Sequence, residues 1–218
     1  MDTPTIEKVI AILKKEVKKW DVPIVTLIAQ TKKDPYRVLI GTVLSLRTKD
    51  HVTAKACEKL FAVADTPEKM VTLSEENIQE LIYPTGFYKT KAKNILLISQ
   101  KLLEEYQSVV PDEIDELLKF PNVGRKTANL VLTEGYNKPA MCTDTHVNRI
   151  SNRLGYVKTK NPEETEFALR KKLPLQYWGE YNYLLVAFGQ HLCVPVSPWC
   201  SKCPVRQYCE RKGVKRSR

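Results

Sequence analysis

Glycine is scarce, eight in 218 residues, and no stretch alternates polar and apolar side chains for long, so the sequence offers no strand and no sheet. No apolar run approaches the roughly 20 residues that a membrane span needs. One of the longer ones, Tyr183-Leu184-Leu185-Val186-Ala187-Phe188, stops at Gly189 and has the length of a core helix. The opening Met1-Asp2-Thr3-Pro4 lacks the basic flank and apolar core of a signal peptide, so a cytoplasmic chain with no membrane partner is expected. There are only three histidines, no two at metal-binding spacing. Internal repeats and low-complexity segments are also missing.

What is present is positive charge: 35 Lys and Arg against 25 Asp and Glu, a net +10. Such a surplus attracts polyanions through long-range fields and counterion release. Nucleic acid leads. An anionic membrane surface is the weaker reading, because no basic amphipathic helix with an aromatic face stands out, and a merely solvated basic surface remains.

Helix signals recur along the chain. Asp2 or Thr3 with Pro4, Asp34-Pro35, Thr66-Pro67 and Asn161-Pro162 each pair a capping side chain with a proline suited to a first turn. Glu164 is placed for a capping box, and Ser74 caps a helix carrying Ile78, Leu81 and Ile82. Ile6, Val9, Ile10, Leu13 and Val17 form one apolar stripe; Ala92, Ile95, Leu96, Ile98, Leu102 and Leu103 form another. The basic tail after Cys209 is expected to be loose.

Four of the six cysteines crowd together as Cys193-x6-Cys200-x2-Cys203-x5-Cys209, while Cys57 and Cys142 stand alone. In a cytoplasmic chain this reads as a metal site before it reads as disulfides. Four thiolates suit either structural zinc or a cubane iron–sulfur cluster. Zinc sites more often pair two Cys-x-x-Cys knuckles, and only one is present.

Between about residues 113 and 134 an apolar helix ends at Phe120, Pro121 stops it, and a second helix carries Ala128, Val131 and Leu132 on one face. Asn122 and Gly124 both tolerate positive φ, so the turn between them can be tight. A turn of this kind either packs two helices together or offers backbone N–H groups to a phosphate without reading base sequence.

The segment Phe120-Pro121-Asn122-Val123-Gly124-Arg125-Lys126-Thr127-Ala128 resembles the helix–hairpin–helix of the endonuclease III family, whose pattern is Leu-Pro-Gly-Val-Gly-Arg-Lys-Thr-Ala. Phe120 replaces the Leu and Asn122 the first Gly. Eighteen residues beyond Lys126, Thr143-Asp144-Thr145-His146 is similar to the family's Val-Asp-Thr-His, and the cysteine spacing matches its four-iron–four-sulfur (4Fe-4S) loop at every ligand. The likeness runs from about Asp34 to Cys209.

The resemblance implies a bifunctional DNA glycosylase and abasic-site lyase of base excision repair. Lys126 would attack the anomeric carbon of a flipped nucleotide, expel an oxidised or ring-saturated pyrimidine, and leave a Schiff base that permits strand nicking. Asp144, whose local role is a helix cap, would stabilise positive charge on the sugar, and His146 would be a structural neighbour. The 4Fe-4S cluster would sit on Cys193, Cys200, Cys203 and Cys209, and its loop would offer Lys202 and Arg206 to the DNA backbone. Asn122, Val123, Gly124 and Arg125 would hold phosphate. Arg47 stands where the family has a Gln that fills the gap of the flipped base, and Phe87 where it has an apolar wedge; a core role for Phe87 stays open. The fold implied is all-α and two-lobed: a helical barrel over residues 27–135, and a discontinuous cluster domain from 1–26 and 136–218. Lys126 and Asp144 would face each other across a cleft that holds double-stranded, damaged or abasic DNA, bound by a monomer at the nucleoid. Two rivals are a mismatch- or adenine-directed relative, which typically lacks this Lys, and a non-catalytic DNA-binding protein that keeps the hairpin and metal loop.

Overall fold

A computed structural model describes residues 1–20 and 34–218. Among the described residues every regular element is helical: α1 (Thr3–Glu16), α2 (Pro35–Ser45), α3 (Asp50–Val63), α4 (Pro67–Met70), α5 (Glu75–Ile82), α6 (Tyr88–Tyr106), α7 (Ile114–Leu117), α8 (Arg125–Leu130), α9 (Thr145–Leu154), α10 (Pro162–Lys172) and α11 (Trp178–His191), joined by short 3-10 and π turns. They gather into two compact units, one from residues 34–138 and one from 1–20 with 139–218. The boundary expected at residue 26 lies outside the described residues.

The helix starts are set locally. Asp2, Asp34, Thr66 and Asn161 each accept a first-turn amide, with Pro at the head of the helix. Ser74 and Asn77 close a reciprocal box, Asn77 N donating to Ser74 Oγ at 3.1 Å and Ser74 N to Asn77 Oδ1 at 3.4 Å. Each such cap contributes about 1 kcal/mol. Glu164 reaches back one residue further than a standard box, accepting from Lys160 N at 2.9 Å.

In the unit of residues 34–138, α2 is the central helix. Val38, Leu39, Ile40, Val43 and Leu44 are all fully buried, as an apolar helix surrounded by others must be. It packs on α3, α6, α8 and the π-helical turn Val131–Gly135 that continues α8. Tyr36 OH meets Ser99 Oγ at 2.7 Å and ties α2 to α6 inside this core. A Cβ on Gly135 would come within 3.1 Å of Pro35 Cα, so the end of the hairpin's second helix closes directly on the start of α2.

In the other unit α1 lays Ile6, Val9, Ile10 and Leu13 against α11, in a core shared with Val147, Ile150, Leu154, Leu185 and Phe188. The Met1 ammonium donates to Gly155 O and lies 3.5 Å from the Glu210 carboxylate, fixing the first helix to the end of α9 and to the cysteine loop. The tail is not loose, as its charge suggested. Arg218 N donates to Pro198 O at 2.8 Å, Ser201 N to Arg218 O at 2.9 Å, and the Arg218 guanidinium lies over Trp199. Backbone pairing with the cysteine loop outweighs the repulsion among its cations.

Candidate functional site

The hairpin is built by α7, a turn and α8. Leu117, Phe120 and Val123 are buried and anchor the turn, while Asn122 and Gly124 are exposed. Asn122 takes the left-handed conformation, φ 60, expected of it. Gly124 does not: at φ −94 and ψ 177 it is extended and caps α8. One left-handed residue already reverses the chain, so the second position is released to start a helix. A Cβ on Gly124 would meet nothing within 4 Å, so no packing inside the protein demands glycine there. The N-cap Gly124 offers no side-chain hydrogen bond to the first amides of α8. Val123 donates its own N–H to Phe120 O at 3.2 Å; both its amide and its side chain are engaged in the turn. Arg125 and Lys126, half-buried, form the first turn of α8, with Ala128 and Thr127 buried behind them.

In the same unit, Leu46, Arg47, Phe87, Thr90, Lys91 and Asn122 line one surface concavity. It brings together three residues expected at DNA from separate parts of the sequence. Phe87 is 63% exposed, which excludes the core role. Its ring lies 5.5 Å from the Arg47 guanidinium, a cation–π pair. Arg47 and Phe87 both have left-handed backbones, φ 52 and 58.

The residue that sequence reasoning passed over here is Lys91. It is 3% exposed, on the buried stripe of α6 with Ala92, Ile95, Ile98, Ser99 and Leu102. Its ammonium donates to Leu44 O (2.7 Å), Leu46 O (2.7 Å) and Thr48 Oγ1 (2.8 Å). Burial pushes its pKa down to about 8. A lysine one residue before Ala92 and four before Ile95 was the available signal.

Asp144 belongs to the other unit, where it is buried as the N-cap of α9. Its Oδ1 accepts from His146 N at 2.8 Å and Val147 N at 2.9 Å, the capping role read from the sequence. His146 Nδ1 lies 3.1 Å from Arg149 Nη2, and a Cβ on Gly189 would fall 2.4 Å from the same nitrogen. That glycine is what lets α11 approach α9 beside the imidazole.

Cys193, Cys200, Cys203 and Cys209 are unbridged and line one cavity with Ile150, Leu154, Phe188, Leu192, Val205 and Val214. Among the described residues no three Cys, His, Asp or Glu side chains are grouped so as to hold a single metal ion. Burial raises the Cys203 thiol to about 11, with the neighbouring thiols adding to it, and shifts Cys209 the same way. The donors that would favour sulfur anions are also in place: Arg153 Nη1 lies 3.4 Å from Cys193 Sγ, and Arg211 N 3.4 Å from Cys209 Sγ. Arg153 is buried, and its guanidinium further donates to Val194 O and Pro195 O, holding the first limb of the loop. Lys202 and Arg206 are exposed on that loop, Lys202 lying over the Trp199 ring.

A helix–hairpin–helix with an exposed turn, in a basic chain whose described elements are all helical, fits the class of protein that holds nucleic-acid backbone without reading sequence. Comparison narrows the class. Residues 40–175 match the family described as HhH-GPD superfamily base excision DNA repair protein. Endonuclease III of Thermotoga maritima is 52% identical over 177 residues, covering 81% of this chain and 83% of the relative. Among solved structures, a non-covalent endonuclease III–DNA complex superposes with a TM-score of 0.82 at 32% identity, over 94% of this chain and 95% of that one. A trapped endonuclease III–DNA covalent intermediate, an estranged-adenine complex, gives 0.77 at 35% identity, over 82% and 84%. The chain belongs to the endonuclease III family of the HhH-GPD base excision DNA repair superfamily.

Proposed function

We propose that this protein removes oxidised or ring-saturated pyrimidines from double-stranded DNA, with Lys126 as nucleophile and Asp144 as the carboxylate that stabilises the sugar. Its family makes it a bifunctional DNA glycosylase and abasic-site lyase of base excision repair. The observation that carries the assignment of Lys126 is its position in the first turn of α8, directly beyond the exposed Asn122–Gly124 turn. Phosphate held at that turn brings the sugar–phosphate backbone to the amine.

The neutral Lys126 amine attacks the anomeric carbon, the glycosidic bond breaks, and the base leaves with a proton. The second amine proton passes to the ring oxygen as the C1′–O4′ bond breaks, and the opened sugar is left as the Schiff base. That imine acidifies the adjacent sugar carbon; removal of its proton expels the 3′ phosphate and nicks the strand. Asp144, held by two amides, supplies fixed negative charge while the sugar is cationic and is a group to which protons can pass. Arg47 and Phe87 fill the gap left by the flipped nucleotide, and Lys202 and Arg206 meet the backbone. The protein acts as a monomer.

The four cysteines fit a 4Fe-4S cluster better than a single ion. They surround a cavity with apolar walls, with two N–H groups aimed at sulfur, and only one Cys-x-x-Cys pair is present. Such a cluster, when bound, supplies a rigid scaffold for the 193–209 loop and a strong local positive charge that keeps its four thiols ionised. The test of substrate is a panel of duplexes, each with one altered base, scored for base release and for nicking. Release of ring-saturated pyrimidines with coupled nicking is expected; preferential release of adenine or of mismatched thymine would overturn the substrate reading.

A further inference from the structure

Lys91 is a buried cation whose amine is enclosed by acceptors from a single short stretch. Two are carbonyls at the end of α2, Leu44 O and Leu46 O, and the third is Thr48 Oγ1. Thr48 Oγ1 also accepts from Gly86 N at 3.1 Å, so the same hydroxyl joins this loop to the turn before α6. The two strands of chain are as close as they can be: a Cβ on Gly86 would fall 2.6 Å from Arg47 O. On either side of this junction stand Arg47 and Phe87, both with left-handed backbones. Such a backbone is disfavoured for a residue with a side chain and persists only where its surroundings over-determine it. Lys91 supplies that constraint from below.

We propose that Lys91 is a positioning residue: it locks the Leu46–Thr48 loop to the Gly86–Phe87 turn, so that Arg47 and Phe87 are presented together to the gap left by an extruded nucleotide. The inference rests on the gap-filling roles proposed above. A hydrophobic residue at 91 would fill the space and leave the carbonyls without their cation; loss of the hydroxyl at 48 would loosen the junction from the other side. Neither change substitutes Lys126, Asp144 or a residue of the hairpin.

The test uses full-length, cluster-loaded protein and a duplex carrying a tetrahydrofuran abasic-site analogue opposite 2-aminopurine, whose fluorescence reports what fills the gap. Wild type at saturation changes that fluorescence. Lys91→Met is expected to lose most of the change and to lower kcat for release of dihydrouracil roughly 10–100-fold with little effect on KM. Borohydride trapping on a natural abasic site, which is extruded at little cost, should persist. Thr48→Val, the milder change, should move the same quantities in the same direction, and it decides the matter alone if Lys91→Met does not fold. A folded variant with the wild-type fluorescence response and wild-type release would overturn the inference while leaving the proposed function standing. A wild type that neither perturbs 2-aminopurine nor traps would overturn both.

Discussion

Asp144 commits one carboxylate oxygen to two amides, those of His146 and Val147, and is at once a helix cap and a fixed charge. The two roles separate by substitution. Asparagine is as good a cap as aspartate, so Asp144→Asn should leave the urea midpoint nearly unchanged yet slow single-turnover base release by about 10²–10³-fold. Asp144→Ala loses both and should also cost about 1 kcal/mol of stability. Asn122 offers a second contrast at this scale. Its φ of 60 favours Asn or Gly, so Asn122→Ala should destabilise by about 1 kcal/mol and Asn122→Gly should not, as read by chemical denaturation.

At the scale of elements the hairpin gives the clearest test, because Gly124 has no internal reason to be glycine. It is extended, and a Cβ there would meet nothing. Gly124→Ala should therefore leave stability unchanged or raise it by about 0.5 kcal/mol. It should weaken binding to an undamaged duplex, because the added methyl stands where the backbone of a ligand would approach. Weakened stability with unchanged DNA affinity would refute the phosphate-holding role.

The helices were legible in the sequence because their signals are local: a capping side chain, a proline, an apolar stripe within a few residues. Asn122 and the Asp144 cap were legible for the same reason. That Gly124 is extended was not legible, because composition shows what a position tolerates and not which of two tolerant positions bends. The place of Lys91 on an apolar stripe was visible, but its role was hidden for a different reason. Its partners lie 43 to 47 residues away, at the end of another helix. The tail, judged by charge alone, was likewise misread; its partners are backbone groups of the cysteine loop.

For the whole molecule the net charge of +10 sets the affinity for DNA and makes it depend on salt. The logarithm of the binding constant should fall linearly with the logarithm of salt concentration, with a slope of about −0.9 per phosphate neutralised. Lys202→Ala with Arg206→Ala should flatten that slope by about 2 in total, one per cation, if the exposed loop meets the backbone. Cys203→Ser should reduce bound iron and labile sulfide and produce the same flattening, since it loosens the loop that carries both cations.

Covalent attachment of the sugar to the Lys126 amine is the step on which the proposed reaction turns. It is tested most directly by borohydride reduction during reaction with a duplex carrying one abasic site, comparing wild type with Lys126→Gln. A covalent protein–DNA adduct from wild type that is absent from a folded, cluster-loaded Lys126→Gln is the predicted result. No adduct from wild type, or an equal adduct from Lys126→Gln, would contradict it.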